Sequence, residues 1–123
     1  MAGNRILIVN EDPDIFKTLF PILQARNFRV SNASGGEEGI QKAKTERPDL
    51  ILLEDAISDI SSYDVCAKLK TDRTTRNIPV IMISGNGGSE SVRKAHSSGA
   101  DDYIVKPFNL FTLLNRFKKF LDK

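Results

Sequence analysis

The sequence predicts a doubly wound α/β domain in which five parallel strands, in the order 2-1-3-4-5, are covered by helices on both faces. Three observations lead there. Four short apolar runs end abruptly in polar residues: Ile6-Leu7-Ile8-Val9 stops at Asn10-Glu11-Asp12, Leu50-Ile51-Leu52-Leu53 at Glu54-Asp55, Val80-Ile81-Met82-Ile83 at Ser84-Gly85, and Tyr103-Ile104-Val105 at Lys106-Pro107. Runs this short read as strands buried on both faces. Between them stand segments with helical periodicity, and right-handed strand-helix-strand crossovers fold such an alternation into two helical layers around one sheet. In that strand order ligands bind beyond the carboxyl ends of the strands, beside strands one and three, where Glu11 and Glu54 fall.

Arg5 to Val9 is the first strand. A helix begins near Pro13, since proline suits the first turn and Asp12 can cap the free amides. Ile15, Leu19, Ile22 and Leu23 give it an apolar stripe, which Phe16 and Phe20 widen; Pro21 should bend it or remove one hydrogen bond. Asn27 ends it, and Phe28 to Asn32 alternates as the second strand. Gly35-Gly36 opens a helix through Glu37 to Glu46 with only Ile40 and Ala43 as clear core contacts, so it should be the least firmly held. The third strand, introduced by Pro48-Asp49, is followed by a polar loop from Ala56 to Ser62. Tyr63, Val65, Cys66 and Leu69 mark the third helix, capped by Ser61 or Ser62. Pro79 takes the start of the fourth strand, where a missing amide is tolerated. Gly85-Asn86-Gly87-Gly88 is a flexible connection, and the fourth helix, from Ser89 to about His96, turns only Val92 and Ala95 inward. Gly99 suits the left-handed position behind it. Tyr103 to Val105 is the last strand. Leu110, Leu113, Leu114, Phe117, Phe120 and Leu121 then form the clearest amphipathic helix, capped by Asn109.

At 123 residues the chain fits a single domain, 1–123, with a proper core. Its 18 Lys plus Arg against 16 Asp plus Glu leave a small positive excess. No basic cluster is interleaved with aromatics, which argues against direct nucleic-acid binding. No apolar segment approaches a membrane span, and Met1-Ala2-Gly3-Asn4 leads straight into a strand, so a cytoplasmic protein off the membrane is expected. The lone Cys66 has no disulfide partner and no metal-ligand spacing around it; it reads as a small hydrophobe.

Taken together, Ile-Leu-Ile-Val-Asn10-Glu11-Asp12-Pro-Asp, Pro-Asp-Leu-Ile-Leu-Leu-Glu54, Ile-Pro-Val-Ile-Met-Ile-Ser84-Gly and Gly-Ala-Asp-Asp-Tyr103-Ile-Val-Lys106-Pro107-Phe108 resemble the receiver domain of bacterial two-component response regulators, the CheY-like domains, over almost the whole chain. The resemblance implies a flavodoxin-like (βα)5 fold. It implies further that the end of the third strand, Glu54 here, is the position of the phosphoryl acceptor. Ser84, Tyr103, Lys106 and Pro107 match the residues that contact the phosphoryl group and relay the change. Asn10, Glu11, Glu54 and the Ala56 carbonyl match a magnesium site. The chemistry explains the types: a carboxylate attacks phosphorus, a cation stabilises the transferred oxygens, and magnesium takes oxygen ligands and keeps waters.

The departures fall at the centre of that pattern. The family has aspartate where Glu54 stands, an acidic residue where Asn10 stands, often proline where Ser58 stands and usually glycine where Ser62 stands. One added methylene moves the Glu54 oxygens outward by roughly an ångström, and misplacement of that order costs about a hundredfold in rate. Asp55 is the nearby substitute, but alternation along a strand should turn it away from Lys106. The reading is a pseudo-receiver, a non-enzymatic module whose fourth helix, fifth strand and fifth helix meet a histidine kinase, a downstream effector or a second copy of this chain. Magnesium, if held at all, is held weakly. The alternative is a working receiver that uses Asp55, or Glu54, with magnesium. A nucleotide- or flavin-binding domain of the same architecture is disfavoured, because Asn10-Glu11-Asp12-Pro13 lacks phosphate-wrapping glycines.

Blander roles compete residue by residue. Glu54 could be a solubilising strand end, Glu11 a helix-dipole partner, Asp12 a cap and Lys106 a cover for apolar surface. Ser84 and Tyr103 draw their weight from the family match. His96 belongs to a helix end or to solvent. Phe111, off the apolar stripe of its helix, is the residue to test as a contact surface.

Overall fold

The structure, a computed structural model, describes residues 4–121. Met1, Ala2 and Gly3, read above as leading into the first strand, lie outside the described residues. Among the described residues ten elements alternate: β1 (Arg5–Val9), α1 (Pro13–Ala25), β2 (Arg29–Ala33), α2 (Gly36–Glu46), β3 (Leu50–Glu54), α3 (Ser62–Thr71), β4 (Val80–Ser84), α4 (Ser89–Ser97), β5 (Asp102–Val105) and α5 (Leu110–Leu121). All pairings are parallel and the order is β2-β1-β3-β4-β5, as the sequence predicts.

Alternation along the strands divides the core in two. Leu7, Val9, Ile51, Leu53, Val80 and Met82 face Ile40, Ala43, Val65, Cys66, Leu69 and Ala95 of the α2, α3 and α4 layer. Ile6, Ile8, Leu50, Leu52, Ile81, Ile83 and Ile104 face Leu19, Leu23, Leu113 and Phe117 of the α1 and α5 layer. Every residue of β3 and of β4 is buried, which places the polar ends of these strands at the floor of a rim.

Helix ends follow local chemistry. Asp12 Oδ1 accepts the Asp14 amide, Ser61 Oγ the Tyr63 amide and Asn109 Oδ1 the Thr112 amide. Gly99 takes the left-handed φ of 99° after α4. α1 runs unbroken through Pro21, because the carbonyl that loses its donor belongs to the exposed Lys17 and can meet water.

Two expectations are corrected. β2 begins at Arg29, one residue later than expected. Asn27 turns left-handed at φ 68°, the Phe28 amide closes α1 on the Leu23 carbonyl, and the Phe28 ring enters the core edge-on to Phe117 at 5.7 Å. α2 is not loosely held. It buries Gly36, Gly39, Ile40 and Ala43, and a Cβ on Gly36 would lie 2.6 Å from both Ile60 Cγ1 and Val65 Cγ2. Its first turn has no cap of its own and borrows Asp59, whose two carboxylate oxygens accept the Gly36 and Glu37 amides at 2.9 and 3.0 Å. Those amides, Glu37's foremost, hold the Asp59 carboxyl below its ordinary value. α4, which buries Ala95 alone, is the lightly seated helix.

Candidate functional site

β1 and β3 are paired up to Val9 and Leu53, so Asn10 and Glu54 emerge side by side at the carboxyl end of the sheet. Both are buried, at 1% and 4% exposure. Ser84, at the end of β4, is fully buried. Lys106, just past β5, reaches across the end of β4 and donates to Glu54 Oε1 at 2.5 Å. Burial pushes the Glu54 carboxyl above its ordinary value; Lys106 opposes that shift, and Asp55 and Asp12 add to it. The second oxygen, Glu54 Oε2, is buried with no partner, and so is Asn10 Oδ1. Asn10 Nδ2 donates to Asn32 Oδ1 at 2.8 Å, which ties the end of β1 to β2.

The structure separates the rim residues into distinct units. Glu54 pairs with Lys106. Glu11, expected beside Glu54 as a metal ligand, is exposed, and its Oε2 accepts both the amide and the hydroxyl of Ser58, at 2.8 and 2.6 Å. That bond crosses from the loop after β1 to the loop after β3. It exists because a serine stands where the family often has proline, which brings neither donor. Asp12 acts as the α1 cap. Ala56, expected to lend its carbonyl, is exposed in the turn after β3. Pro107 is exposed behind Lys106, and His96 is exposed at the end of α4. Among the described residues no three His, Cys, Asp or Glu side chains gather as a metal-binding group.

Asp55 departs from simple strand alternation. The Asp55 amide still donates to the Ile83 carbonyl, but β3 ends at Glu54 and the chain bends there, so the Asp55 carboxylate stays at the rim and accepts the Ser84 hydroxyl at 2.5 Å. It is bonded to Ser84, and Lys106 is bonded to Glu54. Ser84 Oγ also accepts the Asn86 amide, and the Asn86 carbonyl accepts the Tyr103 hydroxyl at 2.6 Å. Asn86 and Ser58 are the residues that sequence reasoning passed over, one as part of a flexible connection, the other as a mere departure. Signals existed for both. An asparagine two residues before Gly88 is poised for an Asx turn, whose bond forms at 2.8 Å, and a non-proline at position 58 frees an amide.

A largely apolar groove of about 310 Å³, lined by Asp14, Ile15, Thr18, Leu19, Ile22, Phe108 and Leu110, lies between α1 and the start of α5. Among the described residues, three large apolar side chains are exposed: Val92 on α4, Val105 on β5 and, at 80%, Phe111 on α5.

Residues 6–118 match the family described as response regulator receiver domain. Over 117 residues the chain is 34% identical to the DNA-binding dual master transcriptional regulator RpaA of Synechocystis sp., covering 95% of this chain and 48% of that protein. The chain spans about half, or less, of the length of the first curated relatives it matches. Among solved structures, the CheY-like response regulator receiver domain protein from Methanospirillum hungatei superposes with a TM-score of 0.90 at 30% identity, over 98% of this chain and 95% of that one. The receiver domain of sensor histidine kinase PA1611 from Pseudomonas aeruginosa, solved with magnesium in its active-site cleft, shares the fold at a TM-score of 0.90 and 22% identity, over 99% of this chain and 100% of that one.

Proposed function

The chain belongs to the response regulator receiver domain family, and from that membership we propose that it is a two-component signalling module that acts by protein-protein contact, not as an enzyme, with phosphorylation lost or impaired at Glu54. One observation carries this reading: the side chain at the acceptor position is a buried glutamate already paired with Lys106. A nucleophile must present a free, aligned oxygen to phosphorus. Glu54 Oε1 is committed to the lysine that otherwise serves the phosphoryl oxygens, and the longer side chain displaces Oε2. The ion pair supplies one negative charge where a phosphoryl group brings nearly two, which supports a single held conformation.

Magnesium is proposed as weakly held. The orphaned oxygens Glu54 Oε2 and Asn10 Oδ1 are of the right type for a hard cation, and the Ala56 carbonyl could join them. The charge is poor, however: Asn10 is neutral, Lys106 offsets Glu54, and Glu11 is engaged by Ser58. A bound ion would supply positive charge to phosphoryl oxygens. The residues themselves only hold and orient.

The proposed contact face is α4, β5 and α5, supported by the exposure of Val92, Val105 and Phe111. It would receive a histidine kinase, an effector or a second copy of this chain, in the cytoplasm. A second reading, phosphorylation at Asp55, is favoured by one fact: its carboxylate stands at the rim on Ser84.

Intact mass after incubation with a small-molecule phosphodonor and magnesium tests the choice. The parent is expected to gain nothing and Glu54→Asp to gain one phosphoryl group. A gain in the parent that disappears in Asp55→Asn would replace the first reading by the second.

A further inference from the structure

The hydroxyl of Ser84 uses both of its capacities, and neither goes to Glu54. It donates to Asp55 Oδ2 and accepts the Asn86 amide at 2.9 Å. Asn86 then spends its carbonyl on the Tyr103 hydroxyl at 2.6 Å and its side-chain oxygen on the amide of Gly88, the residue that caps α4. Asp55, Ser84, Asn86, Tyr103 and Gly88 form one chain of hydrogen bonds from the rim to β5 and α4. The Glu54–Lys106 pair shares no side-chain hydrogen bond with it; the two meet only in the backbone, where the Lys106 amide donates to the Ser84 carbonyl at 2.8 Å.

We propose that Asp55 is a positioning residue of the contact face: through Ser84 and Asn86 it fixes the ring of Tyr103 and the start of α4, independently of Glu54. The assignment rests on the reading that α4, β5 and α5 form that face. Its physical basis is the direction of the Ser84 hydrogen. A bond to an ionised acceptor is about twice as strong as a neutral one, so the hydrogen points at Asp55 and leaves a lone pair for Asn86 N–H. The next acceptor available to it is Asn86 O, 3.5 Å away, the carbonyl that holds Tyr103. Without the Asp55 carboxylate the hydroxyl turns toward that carbonyl, and closing the gap displaces the group on which Tyr103 is anchored. Asp55 is itself held in place, because its amide is bonded to Ile83 O beside the end of β4.

The chain has two tyrosines, so Tyr63→Phe leaves Tyr103 as a single reporter for fluorinated tyrosine. In that background, without any phosphodonor, fluorine NMR is expected to show a displaced Tyr103 resonance in Asp55→Ala. Hydrogen exchange at the Asn86 amide should speed up at least about tenfold. Asp55→Asn, which keeps an acceptor oxygen but not its charge, should restore both readouts in part, and Glu54→Gln should leave them unchanged. Ser84→Ala should give the Asp55→Ala resonance, with nothing added by combining the two. A resonance unmoved by Asp55→Ala, or moved as far by Asp55→Asn or Glu54→Gln, would overturn the proposal. A phosphoryl gain on the parent would instead overturn the function proposed above and leave this result standing.

Discussion

Glu54 combines a burial cost with an ion pair, and the balance has a sign. Burial raises its folded-state value above the ordinary 4.5, so the folded protein keeps this proton at pH values where the unfolded chain has released it. The stability Glu54 contributes is therefore fully present below about 4.5 and is lost as pH rises through the folded value. Urea midpoints measured across that range should fall for the parent relative to Glu54→Gln; parallel curves would show that the carboxyl feels no net penalty. Ser58 offers a second test. Ser58→Pro removes both donors to Glu11 and frees that carboxylate for the rim. Calorimetry should then detect tighter magnesium binding than in the parent, by about tenfold or more, the order expected when a carboxylate joins a site. Equal affinity would mean that Glu11 is not what limits the site. Sequence alone placed Glu54 and Lys106 at the carboxyl ends of strands in one sheet. It could not assign Glu11 to Ser58 or Asp55 to Ser84, because those bonds depend on loop conformations with no period to read.

Among the elements, the strands and α5 were legible to within a residue because apolar runs and stripes have a period. α2 was misjudged for a physical reason. Glycines add nothing to a hydrophobic count, yet Gly36 and Gly39 let this helix sit directly on Ile60, Val65 and Val9. Alanine normally favours a helix over glycine by about 1 kcal/mol, but at Gly36 the added carbon collides with two branched side chains. Gly36→Ala should cost about 1–3 kcal/mol in equilibrium unfolding, and a stabilised variant would show that the α2–α3 packing yields easily. The borrowed cap from Asp59 was likewise invisible, since it joins residues 22 and 23 positions apart.

At the scale of the molecule, hydrogen bonds through Ser84 and Asn86 join the rim to Tyr103 of β5 and to the capping residue of α4. Phe111, at 80% exposure, lies outside the core. Phe111→Asp should leave the unfolding midpoint nearly unchanged, within about 0.5 kcal/mol, while weakening self-association or partner capture measured by sedimentation. Unchanged association would move the contact face elsewhere. The buried centre of the sheet has a further consequence. Because it keeps the layer beneath α1 and α5 apart from the layer beneath α2, α3 and α4, substitutions in the two layers share few neighbours and should combine almost additively. A lineage could therefore remodel the groove beside Ile15 and Phe108 over many generations while Tyr103, which packs on the opposite layer, keeps its setting: the two faces can drift as separate heritable traits.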